Sequence, residues 1–171
     1  VTETNANASS GGTDTVYSSL TAYTLGNNVE NGQILATDAA NLTGNTLNNV
    51  VYAGAGNNVL DGGSGTDTLS YAYGLISGAT TGVTVDLSKT VAQVTGSSGS
   101  DTLTNFENLE GSSLADKLTG NASANTLNGG AGADTLIGGD GSDLYYVDNV
   151  GDVVTETNAN ASSGGTDTVY S

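Results

Sequence analysis

Apolar residues recur every nine positions along much of this 171-residue chain. Counted from Gly111, the segments GSSLADKLT, GNASANTLN, GGAGADTLI, GGDGSDLYY and VDNVGDVVT place Leu118, Leu127, Leu136, Tyr145 and Val154 at position eight. The preceding segment, TLTNFENLE, puts Leu109 there. From Leu35, the segments LATDAANLT, GNTLNNVVY, AGAGNNVLD and GGSGTDTLS do the same with Leu42, Val51, Leu60 and Leu69. Position six is polar: Glu107, Asp116, Asn125, Asp134, Asp143 and Asp152 in the later run, and Asn49, Asn58 and Asp67 in the earlier one, after Ala40. Nine residues divide into a turn and a short strand. Glycines at positions one, two and four admit backbone angles that other residues avoid, and they let carbonyl oxygens face a common point. Positions seven to nine read as a three-residue strand with position eight inward. A strand so short buries no core alone, whereas stacked neighbours build a continuous one. The pattern predicts an all-β solenoid.

Two stretches leave this register. In residues 71–101, the run GVTVDLS alternates Val83, Val85 and Leu87 with Thr84 and Asp86, as a strand with one buried face does. Residues 14–34 contain the strand-like TDTVYSSLTAY. Both either continue the stack through longer, metal-free turns or pack across it. A cassette, G-x-D-T-apolar, recurs at 12–16, 65–69, 99–103, 132–136 and 165–169. The eighteen residues VTETNANASSGGTDTVYS open the chain and recur at Val154–Ser171, an offset of 153 residues, or 17 nonamers. The expectation is a tandem array, with this chain one unit plus an overlap. The triplets beginning at Asn7, Asn41, Asn121 and Asn160 fit an N-x-S/T pattern by chance in so Asn-, Ser- and Thr-rich a chain.

Charge narrows the function classes. The net charge is −16, with 18 acidic residues against Lys89 and Lys117, and there is no arginine or histidine. Such a surface has no cations to displace phosphate counterions, which excludes nucleic acid, and anionic lipid repels it. Its natural partners are cations. There is no cysteine for a disulfide or thiolate site. No apolar run approaches a membrane span. No cationic segment precedes an apolar one, so an export address is expected outside this stretch.

GGAGADTLI and GGDGSDLYY resemble the nonapeptide GGxGxDxUx of RTX (repeats-in-toxin) proteins, a calcium-binding parallel β-helix repeat. The resemblance is strongest over residues 111–152 and good over 44–70. GVTVDL, NFENLEGS and YTLGNNVEN are similar to linking segments of large RTX surface proteins. It implies a parallel β-roll with two nonamers per turn and calcium between loops stacked one turn apart. The organisation expected is a linking β segment (1–34), a first nonapeptide block (35–70), a strand-rich insert (71–101), a second block (102–155) and the start of the next period (154–171).

Calcium takes six to eight oxygens, more than one loop offers, so two loops stacked about 4.8 Å apart share each ion. With turns of 18 residues, Asp116, Asp134 and Asp152 stack on one edge, and Glu107, Asn125 and Asp143 on the other. Asn49 stacks with Asp67, and Ala40 with Asn58. Ligand charge ranks Asp116/Asp134 first, then Asp134/Asp152, then Asn125/Asp143 and Asn49/Asp67; Ala40/Asn58 carries no carboxylate. The metal loops implied also include Gly62, Gly63, Gly65, Gly129, Gly130, Gly132, Gly138, Gly139 and Gly141. Asn49, Asn58 and Asn125 read two ways, as ligands or as an amide ladder without metal. Stacked carboxylates repel unless a cation lies between them. Asp14, Asp101 and Asp167 are further candidates without a nine-residue neighbour, and Asp61, Asp140 and Asp148 read as surface acids.

Catalytic parts are missing. There is no histidine for acid–base work and no serine in a nucleophile elbow, so the chain reads as a non-enzyme. The favoured function is a calcium-binding structural repeat of a large secreted, bacterial cell-surface protein (an adhesin, surface layer or filament), exported by type I secretion as the resemblance implies. It folds on meeting extracellular calcium. Its partners are calcium and neighbouring repeats, through end-to-end or lateral self-association, with no nucleic acid and no membrane insertion. Two other readings stand beside it. One is a calcium-dependent folding and secretion module of an exoenzyme. The other is an ice-binding solenoid, whose Thr68, Thr126 and Thr135 row is interrupted by Lys117, Leu144, Val50 and Val59.

Overall fold

The structure, a computed structural model, describes residues 12–156 and 164–171. Asn7, Asn160 and most of the duplicated 18-residue segment's leading half, in both copies, lie outside those residues. The described residues hold no helix and form seventeen strands. These are β1 (Thr15–Ser18), β2 (Ala22–Thr24), β3 (Asn31–Ile34), β4 (Asn41–Thr43), β5 (Val50–Tyr52), β6 (Val59–Asp61), β7 (Thr68–Ser70), β8 (Thr84–Asp86) and β9 (Gln93–Gly96), followed by β10 (Gly99–Thr104), β11 (Asn108–Glu110), β12 (Lys117–Thr119), β13 (Thr126–Asn128), β14 (Thr135–Ile137), β15 (Leu144–Tyr146), β16 (Val153–Thr155) and β17 (Thr168–Tyr170).

The chain winds as a parallel β-solenoid. The eight odd-numbered strands other than β9 form one sheet, β1-β3-β5-β7-β11-β13-β15-β17, every pair parallel. The other strands form two smaller sheets, β2-β4-β6-β10-β9 and β16-β14-β12-β8. Both irregular stretches contribute strands. β1 and β2 from residues 14–34 pair parallel with β3 and β4. Residues 71–101 supply β8, which pairs parallel with β12, and β9, which runs antiparallel to β10. A bridge between Val83 and Gly96 links β8 to β9 and so joins the two smaller sheets.

Register explains the core. Leu69, Leu109, Leu127 and Tyr145 are Cα partners along the large sheet. Leu42, Leu60 and Leu103 align in one small sheet, and Val85, Leu118 and Leu136 in the other. All of these side chains are buried, because the middle residue of a three-residue strand points inward while its flanks face out. Apolar residues at a fixed position eight therefore stack into an unbroken column.

Turn length is less regular than the nonamers imply. Along the large sheet, successive turns separate equivalent residues by 16, 19, 18, 40, 18, 18 and 24 positions. Seven turns span the 153-residue offset, so its divisibility by nine does not set the number of turns, and the expected reading of 18 residues as every turn holds only inside the nonapeptide blocks.

Leu109→Ala is expected to cost about 2–5 kcal/mol in denaturant unfolding with calcium present, because the stacked column cannot close over the cavity. Val59→Thr, on an exposed strand position, should stay within about 0.5 kcal/mol.

Candidate metal centre

The residue before each strand occupies the turn edge. On the large sheet these residues are Asp14, Glu30, Asn49, Asp67, Glu107, Asn125, Asp143 and Asp167. On the opposite face, Asp116, Asp134 and Asp152 precede β12, β14 and β16. Solenoid pitch stacks these side chains, and one hydrogen bond repeats along each column. An oxygen of one side chain accepts the backbone N–H of its counterpart one turn earlier: Asp67 Oδ1 from Asn49 at 2.7 Å, Asp134 Oδ1 from Asp116 at 2.8 Å, Asp143 Oδ1 from Asn125 at 2.8 Å, and Asp152 Oδ1 from Asp134 at 2.9 Å. Glu30 and Glu107 take the same bond from Asp14 and Asp67.

The second oxygen is where the sites differ. Oδ2 of Asp67, Asp134 and Asp143 is buried with no hydrogen-bond partner, and the three residues are at most 2% exposed. A Cβ on Gly129 would fall on Asp134 Oδ2, and one on Gly138 on Asp143 Oδ2. Only glycine lets the backbone pack this closely against the carboxylates. Gly130, at φ +77°, lies against the carbonyl oxygen of Ser112 one turn back, a conformation and approach that a side chain would obstruct. Burial pushes the carboxyls of Asp67, Asp134 and Asp143 above the ordinary range. The charges of Asp116, Asp152 and Asp148 push Asp134 further, and those of Glu156 and Asp167 push Asp143. Two neighbours differ. Asp116 is raised by burial, but both its oxygens are partnered, by Val83 N, Ser112 N and Ser112 Oγ. Asp152 accepts backbone N–H groups of Asp134, Asp148 and Asn149, which outweigh burial and hold it below the usual range.

The asparagines are satisfied internally. Asn125 accepts from Asn121 N and donates to the Glu107 carbonyl at 2.6 Å. Asn49 accepts from Asn45 N and donates to the carbonyls of Val29 and Glu30. Asn58 accepts from Ala40 N and donates to Gly54 and Gly56. In each case an amide N–H₂ supplies positive dipole to loop carbonyls.

Asp101 shows a third arrangement. Although 43 residues beyond Asn58, it sits one turn above it and accepts its N–H at 2.9 Å. Its other oxygen takes the Tyr71 hydroxyl at 2.9 Å and Thr95 Oγ1 at 3.2 Å. Burial pushes its carboxyl up to about 6, partly offset by these donors. The columns thus include Asp14, Asp101 and Asp167, which have no neighbour at nine-residue spacing. They also include Glu30, which the periodic pattern misses. Its signal is the shared Glu-Asn pair at 30–31 and 107–108, each leading into a strand. Asp61, read as a surface acid, accepts from Gly63 N and Asn105 Nδ2.

A dry carboxylate oxygen beside like charges, with glycine backbone around it, fits a hard cation that binds through oxygen. It does not fit a soft metal, since the sequence has no cysteine or histidine. A family model described as the RTX calcium-binding nonapeptide repeat matches residues 41–71 and 110–145, in four copies. Those two stretches carry RTX calcium-binding nonapeptide repeats. No curated protein matches it. The matched stretches contain the orphaned oxygens of Asp67, Asp134 and Asp143, while a fourth, Asp14 Oδ2, lies outside them. Asp14, Asp101, Asp152, Glu156 and Asp167 lie outside them, in turns that extend the RTX columns.

Asp101 generates a pH test. A carboxyl whose folded pKa lies above its unfolded value holds its proton more tightly in the folded state. Its contribution is complete below the ordinary 3.8 and is lost as pH rises through about 6. In saturating calcium, the melting-temperature advantage of wild type over Asp101→Asn should therefore shrink between about pH 4 and pH 7. A pH-independent difference would contradict it.

Proposed function

We propose that this chain is a calcium-binding structural unit of a large secreted bacterial surface protein, an adhesin, surface layer or filament, which folds as it meets extracellular calcium. One observation carries the reading: Asp67, Asp134 and Asp143 each bury a carboxylate oxygen that no protein group satisfies. Asp67, Asp134 and Asp143 are the principal ligands. Asp116 and Asp152 border the Asp134 site, and Asn49, Asn58 and Asn125 act as hydrogen-bonded spacers. Loop carbonyls at Gly62, Gly63, Gly65, Gly129, Gly130, Gly132, Gly138, Gly139 and Gly141 line the ions.

Without the cation, a net charge of −16 opposes compaction, and the stacked acids repel. The chain stays expanded and exportable in a low-calcium cytosol. Outside, with Kd on the order of 10⁻⁴–10⁻³ M, ions bind between the loops. Metal-binding energy then becomes folding energy.

Circular dichroism across a calcium titration tests this. The β signal should appear cooperatively as calcium rises and vanish with chelator, and a chain equally β-rich in excess chelator would refute the switch. Asp134→Asn should shift the midpoint to higher calcium, while Asp38→Asn, at an exposed acid, should leave it in place.

A further inference from the structure

The columns continue past the nonapeptide blocks, and the place where they do so has its own cluster of acids. Asp143, Glu156 and Asp167 bring carboxylate oxygens within 4.8 Å of one another. Oxygens bound to one calcium ion at about 2.3–2.6 Å lie no farther apart than about twice that length, so this spacing suits a shared ion. Asp143 is 2% exposed, and its Oδ2 is buried with no partner. Its backbone N–H already binds Asp167 Oδ1 at 2.9 Å. The Tyr145 hydroxyl donates to Glu156 Oε1, which holds that carboxylate at the cluster. Glu156 and Asp167 are exposed and leave room for water to complete the shell.

The location gives the cluster its meaning. Asp167 immediately precedes β17, whose sequence TVY repeats that of Thr15–Tyr17 in β1. β17 pairs with β15, while β1 pairs with β3. One copy of the segment thus has two faces to offer, one toward the end of a period and one toward the start of the next. Asp14, the first copy's counterpart of Asp167, likewise has a buried Oδ2 without a partner. Asp143 and Asp167 bound the 24-residue turn, the longest after the 40-residue one along the large sheet, and Glu156 lies within it.

We propose that Asp143, Glu156 and Asp167 form a divalent-cation site, selective for calcium, that locks the end of one 153-residue period to the start of the next. Asp143 supplies the buried anchor. Glu156 and Asp167, both within the repeated segment, close over the ion. The site makes the large sheet continuous from period to period, so that calcium joins units as well as folding them. The proposal rests on the calcium reading above and adds to Asp143, which lies inside the matched repeats, two acids outside them, Glu156 and Asp167.

The test is isothermal titration of calcium into the full chain, compared with Glu156→Gln, Asp167→Asn and the control Asp38→Asn. Terbium luminescence excited through tyrosine serves as a second readout, since Tyr145 touches the site. Glu156→Gln and Asp167→Asn should each lose one bound calcium or weaken one site at least about tenfold. Their circular dichroism in saturating calcium should match wild type. Tyr145-sensitised terbium emission should fall in both, and Asp38→Asn should change neither readout. If wild type binds calcium and both variants keep its stoichiometry, affinities and emission, the joint site is overturned while the nonapeptide sites stand. If wild type binds no calcium, both are overturned.

Discussion

A carboxylate buried beside another carboxylate, one strand spacing away, has to meet positive charge. The solenoid enforces that situation. Its hydrogen-bonded strands fix the pitch at about 4.8 Å, and the same pitch stacks the residue before each strand. One oxygen of each acid is spent on the N–H of the turn below, as Asp134 and Asp143 show. The other oxygen lies in a water-poor turn, where an unpaired charge costs several kcal/mol. Everything else about the turns follows from how that second oxygen is satisfied.

Three solutions occur in one molecule. Asp67, Asp134 and Asp143 leave the oxygen bare beside glycine backbone, which is the arrangement a cation completes. Asn49, Asn58 and Asn125 replace the charge with an amide whose N–H₂ reaches the loop carbonyls. Asp101 keeps the acid but surrounds it with Tyr71 and Thr95. The last two need no metal. Turns with a bare carboxylate oxygen therefore alternate with turns that hold themselves together. Along the large sheet the sequence of side chains runs from Asn49 to Asp67 and from Asn125 to Asp143, so each amide spacer is followed one turn later by a bare acid.

The repeating parts of this arrangement were legible in the sequence and the interruptions were not. Leu118, Leu127 and Leu136 announce the inward column because short strands leave one residue facing the core. Asp116, Asp134 and Asp152 announce the turn edge because they share the same phase. The expected stacking of Asn125 on Asp143 and Asn49 on Asp67 follows from that phase and an 18-residue turn. Phase is lost wherever an insertion changes the turn length. Glu107 stands one turn above Asp67 across 40 residues, and Asp101 above Asn58 across 43. Those partners are set by where the hairpin β9–β10 folds back, a long-range pairing that no local spacing encodes. The same is true of Glu156, which enters the Asp143 cluster only because a 24-residue turn brings it there. Side-chain bonding was also out of reach: an aspartate with a satisfied second oxygen, such as Asp116, looks the same in sequence as Asp134.

The central claim is that the orphaned oxygens of the acidic columns are calcium ligands. Anomalous diffraction from crystals grown in calcium tests it most directly. The account predicts ions about 2.3–2.6 Å from Oδ2 of Asp67, Asp134 and Asp143. A folded solenoid in saturating calcium with those oxygens still unpaired, and ions only on exposed acids such as Asp38, would contradict it.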